Sequence, residues 1–548
     1  MNRWTEHFKE VFNEDQNDKT IGEEERTPDD IRASQNSEDP EAKTPSIREI
    51  EQALKRLKNH KSAGIDNIPA ELLKYGGPEL LKAICSLIET IWNSEKMPSE
   101  WDTGLICPLH KKGDTLECKN YRGIALLNAA YKVLANVISI RLSPYAENII
   151  GNYQAGFRAN RSTIDQIFTL RQILEKTQEY NIDTHHMFVD FKAAYDSVIR
   201  QDLCEAMAEL GIPEKLIRMV KLTLRNTECR VKVQNSISDP FNTRNGLKQG
   251  DALSCTLFNI ALEKCVRMSG IESKGTILQK STQILGYADD IDIVGRTQEN
   301  MIEAFQKLEA SAKEMGLKVN AQKTKYLQVG KNPHTQRSVT VNGQEYERTD
   351  SFVYLGTLVT ADNDVSEEIR KRIIAANKCF YGLLRHLKSR LLTRKTKLSI
   401  YKTLIRPVLT YGSECWVISK KDEDILLRFE RKILRRILGA VMENGAWRPR
   451  HNHELYHLFG SPSVIQQIKI GRMRWAGHVQ RMEEDRPARK IFAGMIDGRR
   501  KVGRPKLRWA DGVRRDAASC GITDWRTRAQ DGEAWRGLLK EAMACQKL

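Results

Sequence analysis

Two acidic motifs in the sequence carry the residue types that could bind a divalent metal ion. In residues 188–190 (Phe-Val-Asp), a short apolar run ends in the carboxylate of Asp190. In residues 287–290 (Tyr-Ala-Asp-Asp), apolar residues on both sides predict a hairpin with Asp289 and Asp290 at its tip. Carboxylates from neighbouring strands suit Mg²⁺, which keeps water and substrate phosphate in its remaining positions. Two such ions ~4 Å apart could activate a hydroxyl and stabilise the departing oxygen at phosphorus, so the motifs predict nucleotidyl transfer.

Each of these motifs also has a purely structural interpretation. Asp190 could cap a following helix, and acidic residues are common in turns because they bond to nearby backbone. A third motif, residues 245–250 (Asn-Gly-Leu-Lys-Gln-Gly), contains glycines that permit close approach to a ligand. It also offers the amide of Gln249 to a base or sugar. By itself, this motif fits any loop that precedes a helix.

Short apolar or alternating segments predict the strands that must hold these groups. Residues 186–189, residues 228–234 and both flanks of the 287–290 motif are typical of strands. Residues 298–315 are typical of a helix, and residues 351–359 of a hairpin. Strands that alternate with long helices predict a mixed α/β or α+β core with helical flanks.

The charge of the chain favours a polyanionic partner. The 88 Lys+Arg exceed the 71 Asp+Glu, and residues 1–45 form an acidic segment that predicts a linker or tail before the ordered chain. A body that is this basic favours nucleic acid. In residues 471–516, two Arg-Trp pairs and a Gly-Arg-Pro-Lys turn strengthen that interpretation, because indole and guanidinium planes stack on bases. A solvated basic linker is the alternative.

Membrane and secreted proteins are disfavoured. No apolar run approaches the ~18 residues that a spanning helix needs, and the first 30 residues are too polar for a signal peptide. The 11 cysteines are scattered and form no Cys-x-x-Cys pair. This usage predicts reduced thiols and an intracellular location, without a disulfide framework or a zinc knuckle.

In their order and spacing, the three motifs resemble the palm of a reverse transcriptase of the LINE-type (non-LTR) retrotransposons. The resemblance is colinear over about 60–430. Further similar segments are residues 63–74, 109–114, 120–127 and 154–157 upstream, and residues 316–325 and 352–356 downstream. Gly123, Ala252 and Cys255 depart from the family, which usually has proline at these positions.

The resemblance implies a role for individual residues. The implied metal ligands are Asp190, Asp289, Asp290 and the backbone carbonyl of Phe191, which would hold two Mg²⁺ ions, with Mn²⁺ as an alternative. Lys323 would donate a proton to pyrophosphate, unless it is simply a solvated lysine. The implied nucleotide-binding residues are Lys111, Lys112, Arg122, Gln249, Gly250 and Tyr195, the last as a steric gate against the ribose 2′-hydroxyl. The implied nucleic-acid-binding residues are Arg370, Arg372, Lys388, Arg390, Arg474, Trp475, Arg504, Arg508 and Trp509.

The resemblance also implies an α+β right-hand polymerase with a helical basic C-terminal extension. Its expected parts are an acidic tail (1–45), fingers (46–180), palm (181–345), primer-grip hairpin and thumb (346–440) and a basic C-terminal module (441–548).

The implied activity is RNA-directed DNA polymerisation, with an RNA template, a DNA primer or target and dNTPs as partners. We expect no membrane partner, an endonuclease supplied elsewhere, and a location in the nucleus and cytoplasm. The alternatives are a decayed or co-opted RNA-binding protein with this fold, and a group II intron-type maturase.

Overall fold

The computed structural model describes residues 1–13, 41–225, 227–272, 274–330, 337–496, 500 and 507–544. Its helices are α1 (Asn2–Asn13), α2 (Ile47–Arg56), α3 (Ala70–Tyr75), α4 (Gly77–Ser94), α5 (Ala129–Ile149), α6 (Thr163–Glu179), α7 (Ala194–Ser197), α8 (Arg200–Glu209), α9 (Glu214–Leu224), α10 (Ser254–Met268), α11 (Gln298–Glu314), α12 (Val365–Gly382), α13 (Leu384–Lys388), α14 (Arg394–Ile400), α15 (Arg406–Thr410), α16 (Lys420–Leu438), α17 (Asn452–Phe459), α18 (Val464–Arg481), α19 (Pro487–Ala493), α20 (Trp509–Ser519), α21 (Trp525–Arg528) and α22 (Gly532–Ala544). Its strands are β1 (Thr103–His110), β2 (Tyr121–Leu126), β3 (Thr184–Val189), β4 (Phe191–Lys192), β5 (Glu228–Val233), β6 (Ser236–Ile237), β7 (Phe241–Asn242), β8 (Thr282–Tyr287), β9 (Asp290–Gly295), β10 (Lys318–Val319), β11 (Lys325–Val329), β12 (Ser338–Val341), β13 (Gln344–Glu347), β14 (Ser351–Tyr354), β15 (Thr357–Thr360), β16 (Val441–Glu443) and β17 (Ala446–Arg448).

A four-stranded antiparallel sheet carries both acidic motifs. Its strand order is β11-β3-β9-β8. Every residue of β3 is buried, including the polar Thr184, His185 and His186, so the strand lacks the alternation of a half-exposed one. Helices α10 and α11 pack in the same apolar core as β3 and β9. The predicted strands on either side of the Asp289 turn and the predicted hairpin at 351–359 are confirmed.

A second sheet is built from β2, β1, β5 and β6, with β7 paired to β5. Strand β1 runs parallel to β5, and Thr103 lies opposite Glu228. The predicted strand at 228–234 is therefore confirmed, but it belongs with strands from the predicted fingers rather than with the sheet of the predicted palm. The boundary predicted at residue 180 does not separate the two sheets, because parallel pairing joins segments that are distant in sequence.

The N-terminal residues correct the prediction that residues 1–45 form a tail. Phe8 of α1 is buried against the second sheet, where it contacts the cluster of Ile106, Val231 and Phe241. The side chain of Asn13 accepts a hydrogen bond from the backbone N–H of Arg244 at 3.0 Å. Acidic composition averaged over the whole segment had hidden this apolar helix face. The rest of the predicted tail, residues 14–40, lies outside the described residues.

The C-terminal helices also correct a predicted boundary. The apolar core of α12 and α16 continues through Leu455, Phe459 and Ile468, so nothing in the core separates residues before 440 from those after it. Beyond it, Trp509 and its neighbours form a core with Phe168 of α6. The C-terminal extension is helical as predicted, but it is packed onto the rest of the chain rather than being a separate module.

No described helix is long and apolar enough to cross a membrane. The cysteines within the described ranges form no disulfide.

Candidate active site

Strand β3 brings Asp190 to the end of the first sheet. The backbone N–H of Asp190 donates to Thr324 Oγ1 at 3.2 Å, and its carbonyl accepts from the N–H of Asn320 at 2.8 Å. Lys323 lies between these two partners in sequence, and its Nζ is 3.0 Å from Asp190 Oδ2. The short segment 320–324 is therefore fixed directly against the carboxylate.

Asp190 is not a helix cap. The residues after it, Phe191 and Lys192, pair as a strand with Val319 and Lys318. The next helix begins only at Ala194, so Asp190 is too far from its N-terminus to accept its free N–H groups. The capping interpretation of Asp190 is wrong, and its side chain remains 29% exposed at the sheet edge.

The β8–β9 hairpin holds Asp289 and Asp290 at a tight turn. Tyr287 pairs with Asp290, and the backbone between them includes Ala288 at φ +56°. The buried amide of Gln154 bonds both backbone groups of Ala288. A Cβ on Gly156 would lie 2.2 Å from the Ala288 nitrogen, so only glycine fits beside this turn.

The register of β3 against β9 brings the two acidic motifs together. Val189 lies opposite Ile291, so Asp190 comes next to the turn that contains Asp289 and Asp290. Burial raises the pKa of Asp289, and the Asp190 carboxylate raises it further. Burial likewise raises the pKa of Asp290 to about 6, with Asp289 and Asp190 adding to the effect. The three carboxylates are close enough to repel one another.

The carboxylates fit a magnesium site that is completed by water and substrate phosphate. Within the described ranges, no group of three or more His, Cys, Asp or Glu side chains is arranged to hold a metal ion by itself. Mg²⁺ is usually bound by one or two carboxylates together with water and substrate phosphate. Asp190 and Asp289 match that donor set, and a cation would relieve the repulsion that raises the pKa of Asp289.

Basic side chains from β2 and from the residues just after β1 act on the carboxylates. Partial burial and the neighbouring Arg122 lower the pKa of Lys111, and Asp190 acts on it in the opposite direction. Arg122 and Lys111 both lower the pKa of Asp289, against the effect of burial. Lys112 is exposed beside Lys111. The structure thus brings Lys111 and Arg122 to the site, with Lys112 at its edge.

Tyr195 is held by the helix that follows the 245–250 loop. Its ring stacks on Phe258 with centroids 4.5 Å apart. Its backbone carbonyl accepts from Leu247 at 2.7 Å, which ties it to that loop. Burial raises the pKa of its hydroxyl, and Cys255 and Asp289 add to the effect. Tyr195 is therefore close to the turn that contains Asp289.

Asp196, for which the sequence predicted no role, holds the side chain of Gln249. The side-chain N–H₂ of Gln249 donates to both carboxylate oxygens of Asp196, at 2.7 and 2.8 Å. The backbone carbonyl of Gln249 accepts from Ala125 at 2.8 Å, and Gly250, at φ +116°, approaches Ala125 O closely. The amide donor of Gln249 is thus directed at Asp196. The only signal in the sequence is that Asp196 directly follows Tyr195.

The two predicted stacking tryptophans do not reach solvent. Trp509 is fully buried, and its Nε1 donates to the backbone carbonyl of Glu414 at 2.7 Å. Trp475 is 9% exposed and belongs to the same core. Their predicted roles in stacking on bases are wrong, because a buried indole has no face to offer a base.

The predicted basic nucleic-acid contacts fall into different environments. Arg508 pairs with Glu179, and Arg372 pairs with Glu368 and bonds the carbonyl of Gly356. These two arginines tie elements of the fold together instead of being free for phosphate. The exposed members of the set are Arg370, Lys388, Arg390 and Arg474. Arg504 lies outside the described residues.

Comparison with known proteins identifies the domain that carries this site. The family model described as "Reverse transcriptase (RNA-dependent DNA polymerase)" matches residues 109–359, which include the acidic motifs, the 245–250 loop and Tyr195. Residues 109–359 form a reverse transcriptase domain. Such a domain implies an RNA template and nucleic-acid substrates, and reverse transcriptases generally depend on a divalent metal.

Relatives of the reverse transcriptase domain come from transposable elements. An uncharacterised transposon-derived protein of Caenorhabditis elegans is 27% identical over 47% of this chain and 94% of its own length. The RNA-directed DNA polymerase from mobile element jockey of Drosophila melanogaster is 23% identical over 72% of this chain and 44% of its own length. A solved telomerase structure from Candida tropicalis has 14% identity and a TM-score of 0.37, covering 73% of this chain and 71% of that chain.

The predicted resemblance to LINE-type reverse transcriptases and the α+β polymerase fold class are confirmed. The chain spans less than half the length of several transposon polymerases that it matches, including 49% of the X-element protein and 44% of the jockey protein.

Proposed function

We propose that this chain is an RNA-directed DNA polymerase that extends a DNA primer with dNTPs on an RNA template. The observation that supports the proposal best is the register of β3 against β9, which sets Asp190 beside the Asp289–Asp290 turn. These carboxylates face Lys111 and Arg122, so anionic and cationic groups meet at one place. This charge arrangement suits a triphosphate that binds together with divalent metal ions.

In this proposal, Asp190 and Asp289 hold two Mg²⁺ ions, or Mn²⁺ as an alternative, with the carbonyl of Phe191 and the carboxylate of Asp290 beside them. When bound, such ions lower the pKa of the attacking 3′-hydroxyl and neutralise charge on the departing pyrophosphate. The protein's own contribution is to hold the carboxylates rigidly. Gln154 fixes the turn through Ala288, and Thr324 fixes the backbone of Asp190.

The basic residues act on the triphosphate. Lys111 and Arg122 neutralise its charge, with Lys112 at the edge of the same group. Lys323 donates a proton to pyrophosphate, and its 3.0 Å contact with Asp190 Oδ2 keeps the ammonium group at the site before substrate arrives. Proton donation to a leaving group typically contributes about 10²–10⁴-fold to a rate.

The sugar of the incoming nucleotide lies against Tyr195 in this proposal. The stack on Phe258 and the bond from Leu247 leave the ring little freedom to move aside. A ribose 2′-hydroxyl would therefore collide with the ring, whereas a deoxyribose would not. Gln249 and Gly250 line the same pocket, with Asp196 orienting the Gln249 amide.

The partners in the cell follow from this chemistry. Copying an RNA onto a DNA primer requires access to both polymers, so we propose that the protein acts in the cytoplasm and the nucleus. The exposed Arg370, Lys388 and Arg390 meet the backbone of the template–primer duplex without reading its sequence. In this proposal the nick that supplies a primer is made by an endonuclease supplied elsewhere.

Primer extension on an RNA template with Mg²⁺ tests the proposal. We expect synthesis by the wild type, and a rate of synthesis reduced by more than about 100-fold in Asp190→Asn and Asp289→Asn. Losing a hydrogen-bond partner of a metal ligand typically costs about 10–100-fold in activity, and losing the ligand itself should cost more. Asp239→Asn is the matched control, because Asp239 is exposed in the connection between β6 and β7, strands of the sheet that does not carry the carboxylates. Circular dichroism checks that each variant is folded.

The outcome also separates the alternatives. A wild type that binds RNA but synthesises no DNA would favour a decayed or co-opted RNA-binding protein. A strong preference for intron RNA over other templates, with help to splicing, would favour a maturase. Full synthesis by Asp190→Asn would overturn the assignment of the metal ligands.

A further inference from the structure

A short hairpin follows the long thumb helix α16. Strands β16 and β17 pair so that Glu443 lies opposite Ala446, and Asn444 and Gly445 form the turn with φ of +50° and +78°. Positive φ at both central residues is the turn geometry that best matches the twist of a two-stranded ribbon. We refer to residues 441–448 as the Trp447 hairpin.

The Trp447 hairpin exposes two large apolar side chains on one face. Met442 lies directly opposite Trp447, so both point to the same side of the ribbon. Trp447 is 69% exposed and Met442 is 50% exposed. Adjacent exposed apolar side chains offer a surface whose burial by a ligand would be favourable.

Trp447 is exceptional among the tryptophans of this chain. Of the nine tryptophans, all of which lie in the described ranges, seven are buried, Trp4 is half-buried, and only Trp447 is exposed. The exposed tryptophan of the described ranges is thus neither Trp475 nor Trp509. It is one that the sequence gave no reason to single out.

The position of the hairpin is fixed by ion pairs. Arg448 pairs with Glu443 across the ribbon and makes two bonds of 2.9 Å with the carboxylate of Glu454 at the start of α17. Glu454 also accepts from the backbone N–H of His451 at 2.6 Å. These contacts orient Trp447 before any ligand arrives, and they neutralise the nearest carboxylates.

The chain on either side of the hairpin is rich in basic residues. Residues 431–453 contain six Lys or Arg and a single acidic residue, Glu443, which is already paired. Arg435, Arg436, His451 and His453 are exposed. This charge favours a polyanion over an apolar peptide as the occupant of the surface.

We propose that the Trp447 hairpin binds single-stranded nucleic acid, with an unpaired base stacked on the indole and neighbouring phosphates meeting Arg435 and Arg436. Met442 extends the apolar surface beneath the base. Paired bases in a duplex have no free face, so the surface selects single strands. The proposal rests on the proposed polymerase function in one respect, since that function supplies the nucleic acid.

Binding of the full chain to a fluorescent single-stranded RNA, measured without dNTPs or metal, tests this proposal. We expect Trp447→Ala to weaken binding by roughly 5- to 100-fold, the usual effect of losing one stacked base. Trp447→Phe should recover most of the affinity because phenylalanine also stacks. Tyr75→Ala is the matched control, since Tyr75 is another exposed aromatic residue, at 71% exposure, on α3.

Salt dependence gives a second, independent readout. Stacking involves no counterion release, so the ratio of wild-type to Trp447→Ala affinity should stay constant between low and high salt. Arg436→Ala should instead reduce the slope of log affinity against log salt concentration. Both side chains are exposed, so the thermal midpoint should not change in either variant.

Each result decides the proposal. Unchanged RNA affinity in Trp447→Ala overturns it, as does a wild type that does not bind RNA at all. If Trp447→Ala abolishes self-association in sedimentation while RNA affinity is unchanged, the surface is a protein interface and the proposal is wrong. A chain whose RNA binding depends on Trp447 but which makes no DNA overturns the polymerase function alone.

Discussion

Gln154 bonds both backbone polar groups of Ala288, the residue directly before Asp289. Its Oε1 accepts from the Ala288 N–H at 2.7 Å, and its Nε2 donates to the Ala288 carbonyl at 3.1 Å. The same Oε1 accepts from Gly156 at 2.8 Å. One wholly buried amide, 134 residues away in sequence, thus fixes the tip of the β8–β9 hairpin.

Gln154→Ala should loosen that tip. The change leaves buried backbone groups without partners, so we expect the free energy of unfolding to fall by about 1–3 kcal/mol. DNA synthesis should fall mainly through kcat, because the carboxylates lose their fixed position while the nucleotide contacts remain. Gln344→Ala on β13, at an exposed glutamine, is the control. Steady-state kinetics and urea unfolding measure the two effects, and an unchanged kcat would contradict the positioning role.

Gly156→Ala should inactivate the enzyme by a steric route. The new Cβ would lie 2.2 Å from the Ala288 nitrogen, which is backbone and cannot rotate away. The turn must move, and we expect synthesis to fall by at least about 100-fold, the cost of roughly 1 Å of misplacement. Gly537→Ala meets no atom within 4 Å and should keep full activity. If Gly156→Ala and Gly537→Ala synthesise DNA equally well, the Asp289–Asp290 turn tolerates displacement and the prediction is wrong.

Tyr195→Ala should relax the choice of sugar. Removing the ring opens the space that a ribose 2′-hydroxyl would occupy, so we expect ribonucleotide incorporation to rise by about tenfold or more relative to dNTPs. Tyr195→Phe keeps the ring and its stack on Phe258, and should keep the selectivity. Competition between each dNTP and its ribonucleotide measures the ratio. An unchanged ratio in Tyr195→Ala would remove the gate assignment.

Glu175 should make stability depend on pH. Burial raises the pKa of this carboxyl from 4.5 to about 7. The backbone N–H of Trp509, which donates to the carboxyl at 2.8 Å, acts in the opposite direction. The folded chain therefore holds this proton more tightly than the unfolded chain does. Its contribution to stability falls as pH rises from about 4.5 to about 7. Glu175→Gln keeps an acceptor for Trp509 but cannot ionise, so urea unfolding across this window should show a flatter pH profile. If the free energy of unfolding of Glu175→Gln depends on pH as that of the wild type does, Glu175 does not cause the pH dependence.

Trp509→Ala should act on stability and not on RNA affinity. Trp509 is fully buried against Phe168, with ring centroids 4.7 Å apart, so its loss should cost about 3–5 kcal/mol. Trp447→Ala should show the opposite behaviour, with unchanged stability and weaker RNA binding. Thermal unfolding and RNA titration on both variants make the comparison. Weaker RNA binding by a still-folded Trp509→Ala protein would restore the role predicted from sequence.

The motifs of the active site could be predicted from the sequence because their signals are local. An apolar run that ends in Asp190, and apolar strands on both sides of Asp289, follow from the alternation and burial of residues close together in the chain. The order of these motifs along the chain was enough to indicate a reverse transcriptase. That resemblance in turn indicated which carboxylates and which basic side chains lie at the site.

Only the tertiary structure decided which groups hold those motifs in place and which aromatic residues face solvent. Gln154 reaches Ala288, and β1 pairs with β5, across long stretches of chain that leave no local pattern. Trp447 and Trp509 look alike in sequence, since each lies beside an arginine, yet one is exposed and the other is buried. Residue type fixes what a side chain can do, but the packing of distant elements determines whether water, protein or ligand meets it.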